Sequence, residues 1–177
     1  AEIYTNEMYP QSYTLPKIGC YSRHTKIRIG YFSADFRDHP VSHLTAELYE
    51  MHDRNQFEIY AFSFGLDTKD EMNLRIKVGV DYFHDVRTMS DIDVAMLSRS
   101  VELDIAVDLG GFTQNCRPNI FAEGSAPVQV NFLGYPGTMA ADYMDYLIAD
   151  RTLIPEEKQL HYSEKIVYMP NSYQVNV

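Results

Sequence analysis

The pattern of hydrophobic and polar positions changes character at Lys26. Residues 1–25 carry no sustained period and contain Pro10, Pro16 and Gly19, which predicts an irregular lead-in or linker. After it, short apolar β-prone runs alternate with stretches of helical spacing. Residues 27–32 read as a buried strand and 33–38 as a polar turn. Pro40 suits the first position of a helix that carries Leu44, Leu48 and Met51 at helical spacing and fades near His52. A second strand over 57–64 precedes a helix over 69–78, with Met72, Ile76 and Val80 inward. Residues 82–86 form a short strand. Ser90 then opens a helix, with Asp93 three positions on in a pattern resembling a capping box. A fourth strand over 105–109 ends in Gly110 and Gly111. A short helix around 118–123 leads into a fifth strand at 128–133, and 143–149 and 166–169 add two more.

Strands that alternate with helices and are apolar on both faces predict a doubly wound, mostly parallel α/β sheet of Rossmann-like type. No period of 20–50 residues recurs, which excludes a repeat array. In a doubly wound domain, ligands meet the loops at the carboxyl ends of the strands. The places to look for chemistry are therefore 33–39, 110–117 and 134–138.

Composition narrows the picture. At roughly 100–200 residues per domain, 177 residues suit one domain, and 45% apolar content with 13% aromatics suffices for a core. Fifteen basic and 25 acidic residues leave a net charge of −10, which argues against gripping nucleic acid or an anionic membrane. No apolar run approaches the roughly 20 residues of a membrane span, and residues 1–25 lack a signal-peptide core. These features predict a soluble, cytoplasmic protein. Cys20 and Cys116, the only cysteines, form no CxxC unit and read as reduced, partly buried thiols.

The first loop brings carboxylates and His39 to the mouth of a helix, with His43 one turn on. An imidazole there, kept neutral by the helix N-terminus, can accept a proton from an attacking hydroxyl. It can equally cap the helix, with His43 packing beneath. No third ligand supports a metal reading. In the second loop, Gly110 and Gly111 permit close backbone approach of a ligand, and Thr113, Gln114, Asn115 and Arg117 can bond oxygens. The third loop, Gly134-Tyr135-Pro136-Gly137-Thr138, is a constrained turn able to aim N–H groups at a ligand. Asp91-Ile92-Asp93 matches a metal-holding DxD pattern, yet its place in the first turn of a helix explains it. Neither a G-x-G-x-x-G after the first strand nor a P-loop occurs, which excludes a standard dinucleotide enzyme or P-loop NTPase.

Read together, these loops are not anonymous. Ile27-Arg28-Ile29-Gly30-Tyr31-Phe32-Ser33-Ala34-Asp35-Phe36-Arg37-Asp38-His39-Pro40-Val41-Ser42-His43 resembles the start of the catalytic region of O-linked N-acetylglucosamine transferases and SPINDLY proteins, glycosyltransferase family 41. Asp104 to Thr113, Ala126 to Val130, Leu133 to Thr138, Met144-Asp145-Tyr146, Tyr162 to Lys165 and Tyr173 to Asn176 continue the match in order, the last in a bacterial-type form. The resemblance covers residues 26–176. It implies the N-terminal, Rossmann-like lobe (26–177) of a two-lobed GT-B enzyme that is inverting and metal-independent and needs no cofactor. Such enzymes transfer N-acetylglucosamine from UDP-N-acetylglucosamine to protein Ser or Thr hydroxyls. A SPINDLY-like fucosyltransferase using GDP-fucose and a non-catalytic interaction module are the alternatives.

The resemblance also implies partners: a C-terminal lobe that holds most of the nucleotide, a protein or peptide acceptor, and upstream tetratricopeptide repeats. The 177 residues alone are then expected to be inactive. His39 matches the family's active-site histidine, and Gly111, Thr113, Leu133, Gly134 and Pro136 match positions lining the sugar side of the cleft. His43 takes a supporting role. Phe112 departs from the His or Tyr usual at its position.

Overall fold

The computed structural model describes residues 1–19 and 21–175. Seven strands run in chain order: β1 (Ile27–Ser33), β2 (Phe57–Ser63), β3 (Tyr82–Asp85), β4 (Ile105–Asp108), β5 (Val128–Phe132), β6 (Tyr146–Ala149) and β7 (Lys165–Tyr168). They form one sheet in the order β3-β2-β1-β4-β5-β6-β7, and every pairing is parallel. The helices are α1 (Glu2–Met8), α2 (Pro40–Met51), α3 (Glu71–Gly79), α4 (Asp91–Ser100) and α5 (Asn119–Ala122). A 3₁₀ turn over Glu156–His161 precedes β7. Among the described residues no helix is long and apolar enough to cross a membrane.

The predicted double winding is observed. One core packs Ala46 and Tyr49 of α2 and Ile76 of α3 against Ile29, Tyr31, Ile59 and Val107 of the sheet. The other packs Val94 of α4 and Ile120 and Phe121 of α5 against Phe32, Phe62 and Ala106. Side chains alternate between faces along each strand, so neighbours in sequence serve opposite cores. Consecutive strands first step from β1 toward β3 and then resume on the other side at β4. The crevice between the carboxyl ends of β1 and β4 is therefore the topological switch point.

Of the apolar positions at helical spacing in α2, Leu44 and Leu48 pack partly against the core and Met51 does not. Met51 is 74% exposed and Leu44 and Leu48 are half-buried, while Ser42, Thr45, Ala46 and Tyr49 face the core. The inward hydroxyls are all bonded: Ser42 to the Asp35 carbonyl, Thr45 to the Val41 carbonyl, and Tyr49 to Thr45 Oγ1. A polar stripe can line a core when each hydroxyl finds a partner. In α3, Ile76 is fully buried, with Val80 just beyond the helix also buried and Met72 packed partly against them. Ser90 caps α4 by accepting from the Asp93 N–H.

The first 25 residues also depart from an irregular lead-in. Glu2–Met8 is helical, and α1 is fastened where the hydroxyl of buried Thr5 donates to the Met139 carbonyl. Residues beyond it are strapped by Tyr143 Oη donating to the Tyr9 carbonyl, Ser12 N–H to the Ala122 carbonyl and Arg99 to the Pro16 carbonyl.

Candidate functional site

The three loops named from sequence do converge at the switch point. Asp35, Arg37 and His39 after β1, Thr113, Gln114 and Asn115 after β4, and Gly134 after β5 line one small cavity of about 180 Å³. His39 occupies the N-cap of α2 with extended backbone, and its Nδ1 accepts the Val41 N–H at 3.3 Å. Pro40 at the first helical position needs no partner for a missing N–H, so Val41 offers the nearest free donor. A ring nitrogen that accepts an amide proton carries none itself, which puts the imidazole proton on Nε2. Of the two alternatives the sequence set, capping is the one observed, and it engages Nδ1 alone.

His43 is placed apart. It is exposed, and its Nε2 pairs with Asp38 at 2.7 Å outside the cavity. Among the described residues no group of three or more His, Cys, Asp or Glu is placed to hold a metal ion.

Gly111, Leu133 and Pro136 frame the cavity without lining it. Gly111 (φ +54°) lies so close to Tyr135 that an added Cβ would sit 2.4 Å from that side chain. A Cβ on Gly134 would sit 2.1 Å from the Leu109 carbonyl oxygen. The absence of a side chain at these glycines lets the segment after β4 pack closely against the segment after β5. Leu133 takes the left-handed conformation (φ 75°) and is buried, which turns the chain into Gly134. Pro136 is exposed, and its carbonyl accepts from Tyr162 Oη at 3.3 Å.

Two residues of the second loop behave differently from their sequence reading. Arg117 is not available to a ligand: its guanidinium donates to Asp91 at 2.6 Å and to the carbonyls of Met89 and Val86. That contact also accounts for Asp91 of the DxD pattern. Phe112 turns toward α1, edge-on to Tyr4 at 5.3 Å and stacked on Tyr9 at 5.8 Å. An apolar side chain there anchors the N-terminal segment rather than bonding a ligand. Cys116 is a free, half-buried thiol whose pKa is pushed up by burial, then by the nearby Asp108 carboxylate. Cys20 lies outside the described residues.

Sequence reasoning missed Asp108. It ends β4 at the switch point and is buried, and burial raises its pKa to about 6 against the opposing N–H groups of Gly110 and Gly111. Beside it in register is Asn131 of β5, whose Nδ2 donates to the carbonyls of Tyr135 and Gly137. Asn131 Oδ1 is buried without a protein partner. A polar residue ending an otherwise apolar parallel strand was the available clue.

Fold and site define a doubly wound α/β domain whose polar groups from three strand ends meet at the switch point. The chain belongs to glycosyl transferase family 41, which it matches over residues 5–176. It is 38% identical over 151 residues, 85% of its length, to the probable UDP-N-acetylglucosamine–peptide N-acetylglucosaminyltransferase SEC of Arabidopsis thaliana. It is 31% identical over 173 residues, 94% of its length, to the probable UDP-N-acetylglucosamine–peptide N-acetylglucosaminyltransferase SPINDLY of Oryza sativa subsp. japonica. A lysine-to-methionine variant of the Thermobaculum terrenum O-GlcNAc transferase superposes with a TM-score of 0.82 over 85% of the chain, at 34% identity. The match spans 16% of the Arabidopsis protein, 18% of the rice protein and 29% of the bacterial chain. The match to the Rossmann-like lobe of a GT-B transferase agrees with the fold class read from sequence. Of the stretch 173–176, Asn176 lies outside the described residues.

Proposed function

We propose that residues 26–177, with α1 packed on them, form the acceptor-side lobe of an inverting, metal-independent protein O-glycosyltransferase. The intact protein transfers N-acetylglucosamine from UDP-N-acetylglucosamine to Ser or Thr hydroxyls, and this lobe alone does not turn over. The observation that supports this reading best is the meeting of His39, Thr113 and Gly134, from three separate strand ends, around one small cavity. His39 presents Nε2 without a protein partner among the described residues, while Gly134 and Thr113 shape the wall. His39 and the acceptor hydroxyl form the proton-handling side. Stabilisation of the departing diphosphate falls to a C-terminal lobe, by fixed positive charge and helix N-termini.

In the full-length protein, His39→Ala is expected to lower turnover by about 10²–10⁴-fold, the range of a general base, with donor affinity within about twofold. Turnover equal to wild type would remove His39 from the chemistry. A SPINDLY-like transfer from a GDP-sugar, which the family resemblance implies as the alternative, is the second reading, and side-by-side binding of UDP and GDP to the full-length protein decides between them.

A further inference from the structure

His39 Nδ1 has two neighbours that ask opposite things of it. The Val41 N–H, at 3.3 Å, needs a lone pair on Nδ1. The Asp35 carboxylate, whose Oδ2 lies 3.8 Å away, needs a proton there. With the first contact made, Nε2 carries the proton and is a donor, so it cannot take a proton from a hydroxyl. With the second made, Nδ1 carries the proton and Nε2 offers its lone pair. Asp35 is prepared for that contact. Its Oδ1 accepts from Arg37 Nη2 at 3.0 Å, and its own N–H donates to Ser33 Oγ at 2.9 Å. Its side chain is only 16% exposed, against 33% for His39. One carboxylate oxygen is thereby fixed and the other left facing the imidazole.

We propose that Asp35 is a positioning residue: its carboxylate accepts a hydrogen bond from His39 Nδ1–H and so favours, over the capping tautomer, the tautomer whose Nε2 lone pair can act as a base. This rests on the role assigned to His39 above. The step is balanced within the site. The acceptor oxygen forms its bond to the sugar's anomeric carbon while the bond to the diphosphate breaks, the pair leaving with the diphosphate. The hydroxyl proton goes to Nε2, and the resulting imidazolium donates Nδ1–H to the Asp35 carboxylate. A carboxylate behind the imidazole stabilises that cation without taking its proton.

The test uses Asp35→Asn in the full-length protein, a near-isosteric change that keeps an oxygen for Arg37. It is expected to lower kcat about 10–100-fold while leaving KM for UDP-N-acetylglucosamine within about twofold. Long-range ¹⁵N–¹H spectra of ¹⁵N-histidine-labelled protein give a second readout, with His39 assigned by its own substitution. With UDP and a serine-containing acceptor peptide bound, wild type is expected to gain the Nδ1–H form, and Asp35→Asn to stay Nε2–H. An unchanged kcat in Asp35→Asn, or the same tautomer in both proteins, overturns the proposal. If His39→Ala abolishes transfer while Asp35→Asn does not, only the positioning role fails. If His39→Ala is itself active, the reading beneath it fails.

Discussion

Gln129 and Asn131 stand two residues apart on β5, both buried and on the same face of the sheet. Gln129 is fully bonded: its Oε1 accepts the Ser125 N–H, and its Nε2 donates to the carbonyls of Phe121 and Tyr143. Asn131 holds the 134–138 turn through Nδ2 and leaves Oδ1 unpartnered. Across β4 the two ends differ in burial rather than in bonding, since Asp108 accepts from the Gly110 N–H. The strand's N-terminal neighbour Asp104 accepts from His24 and from the Arg28 N–H, whereas Asp108 at the C-terminal end is buried beside Asn131 and kept hard to ionise. Leaving a buried polar atom unbonded costs about 1–3 kcal/mol, so folding alone selects against it. Along β5, then, the amide near the amino end is closed by its bonds, and the one near the carboxyl end keeps unmet bonding capacity where the three loops meet.

The largest effect expected tests whether the carboxyl-end loops are locked to one another. Gly134→Ala sets a methyl group against the Leu109 carbonyl, part of the backbone that follows β4 and unable to rotate aside. A loss of about 3 kcal/mol or more is expected in urea unfolding. Gly19→Ala, where an added Cβ meets nothing within 4 Å, is the control and should stay within about 0.5 kcal/mol. If Gly134→Ala unfolds at the wild-type midpoint, the two loops are not interlocked and the frame of the cavity is loose.

Asp108 gives the next effect. Its folded-state pKa, about 6, lies above the ordinary 3.8. Its contribution to stability is therefore complete below pH 3.8 and lost as pH rises through 6. At pH 8 the ionised carboxylate costs about 3 kcal/mol, since burial leaves little solvent to screen it. Asp108→Asn keeps an oxygen for the Gly110 N–H, now held at 2.9 Å. The variant should be more stable than wild type by about that amount at pH 8, with the gain shrinking toward pH 4. A gain that grows on acidification would mean that Asp108 is held as the anion, and the contrast between the two ends of β4 would collapse.

How much of this could be read from the chain depends on the range of the interactions involved. The seven strands follow from local alternation, and the three loops follow from the strands. His39 was visible as a cap because Pro40 stands next to it. Hidden features arise from contacts between distant residues. Arg117 looks like a ligand-binding side chain until β3 and α4 bring Val86, Met89 and Asp91 to it. Helix α1 is too short to be stable by itself, and contacts of Thr5 with Met139 and of Tyr4 with Phe112 hold it. The inner face of α2 escaped a count of apolar positions because hydroxyls occupy it. Asp108 reads as one more carboxylate until the sheet buries it.

The smallest expected effect belongs to the amino end. His24 Nε2 faces Glu102 at 2.9 Å and Nδ1 faces Asp104 at 3.2 Å, so the imidazolium can donate to both. Arg28 approaches the same ring and opposes the charge, and Tyr21 stacks on it. The bonds to Glu102 and then Asp104 prevail, and the His24 pKa is raised above 6.5. Stability from His24 is thus complete below pH 6.5 and lost as pH rises above it. Glu102 is partly solvent-exposed, which holds the effect to the ~0–1 kcal/mol of a screened pair. His24→Gln should lower the urea midpoint slightly at pH 5.5 and leave it unchanged at pH 8.5. Since Asp108 acts with the same sign, the measurement belongs on an Asp108→Asn background. Asp104, which His24 faces, and Asp108 stand at opposite ends of β4, roughly 13 Å of strand apart, far enough for the two effects to add. Non-additive effects would show that the two ends of the strand are one electrostatic unit.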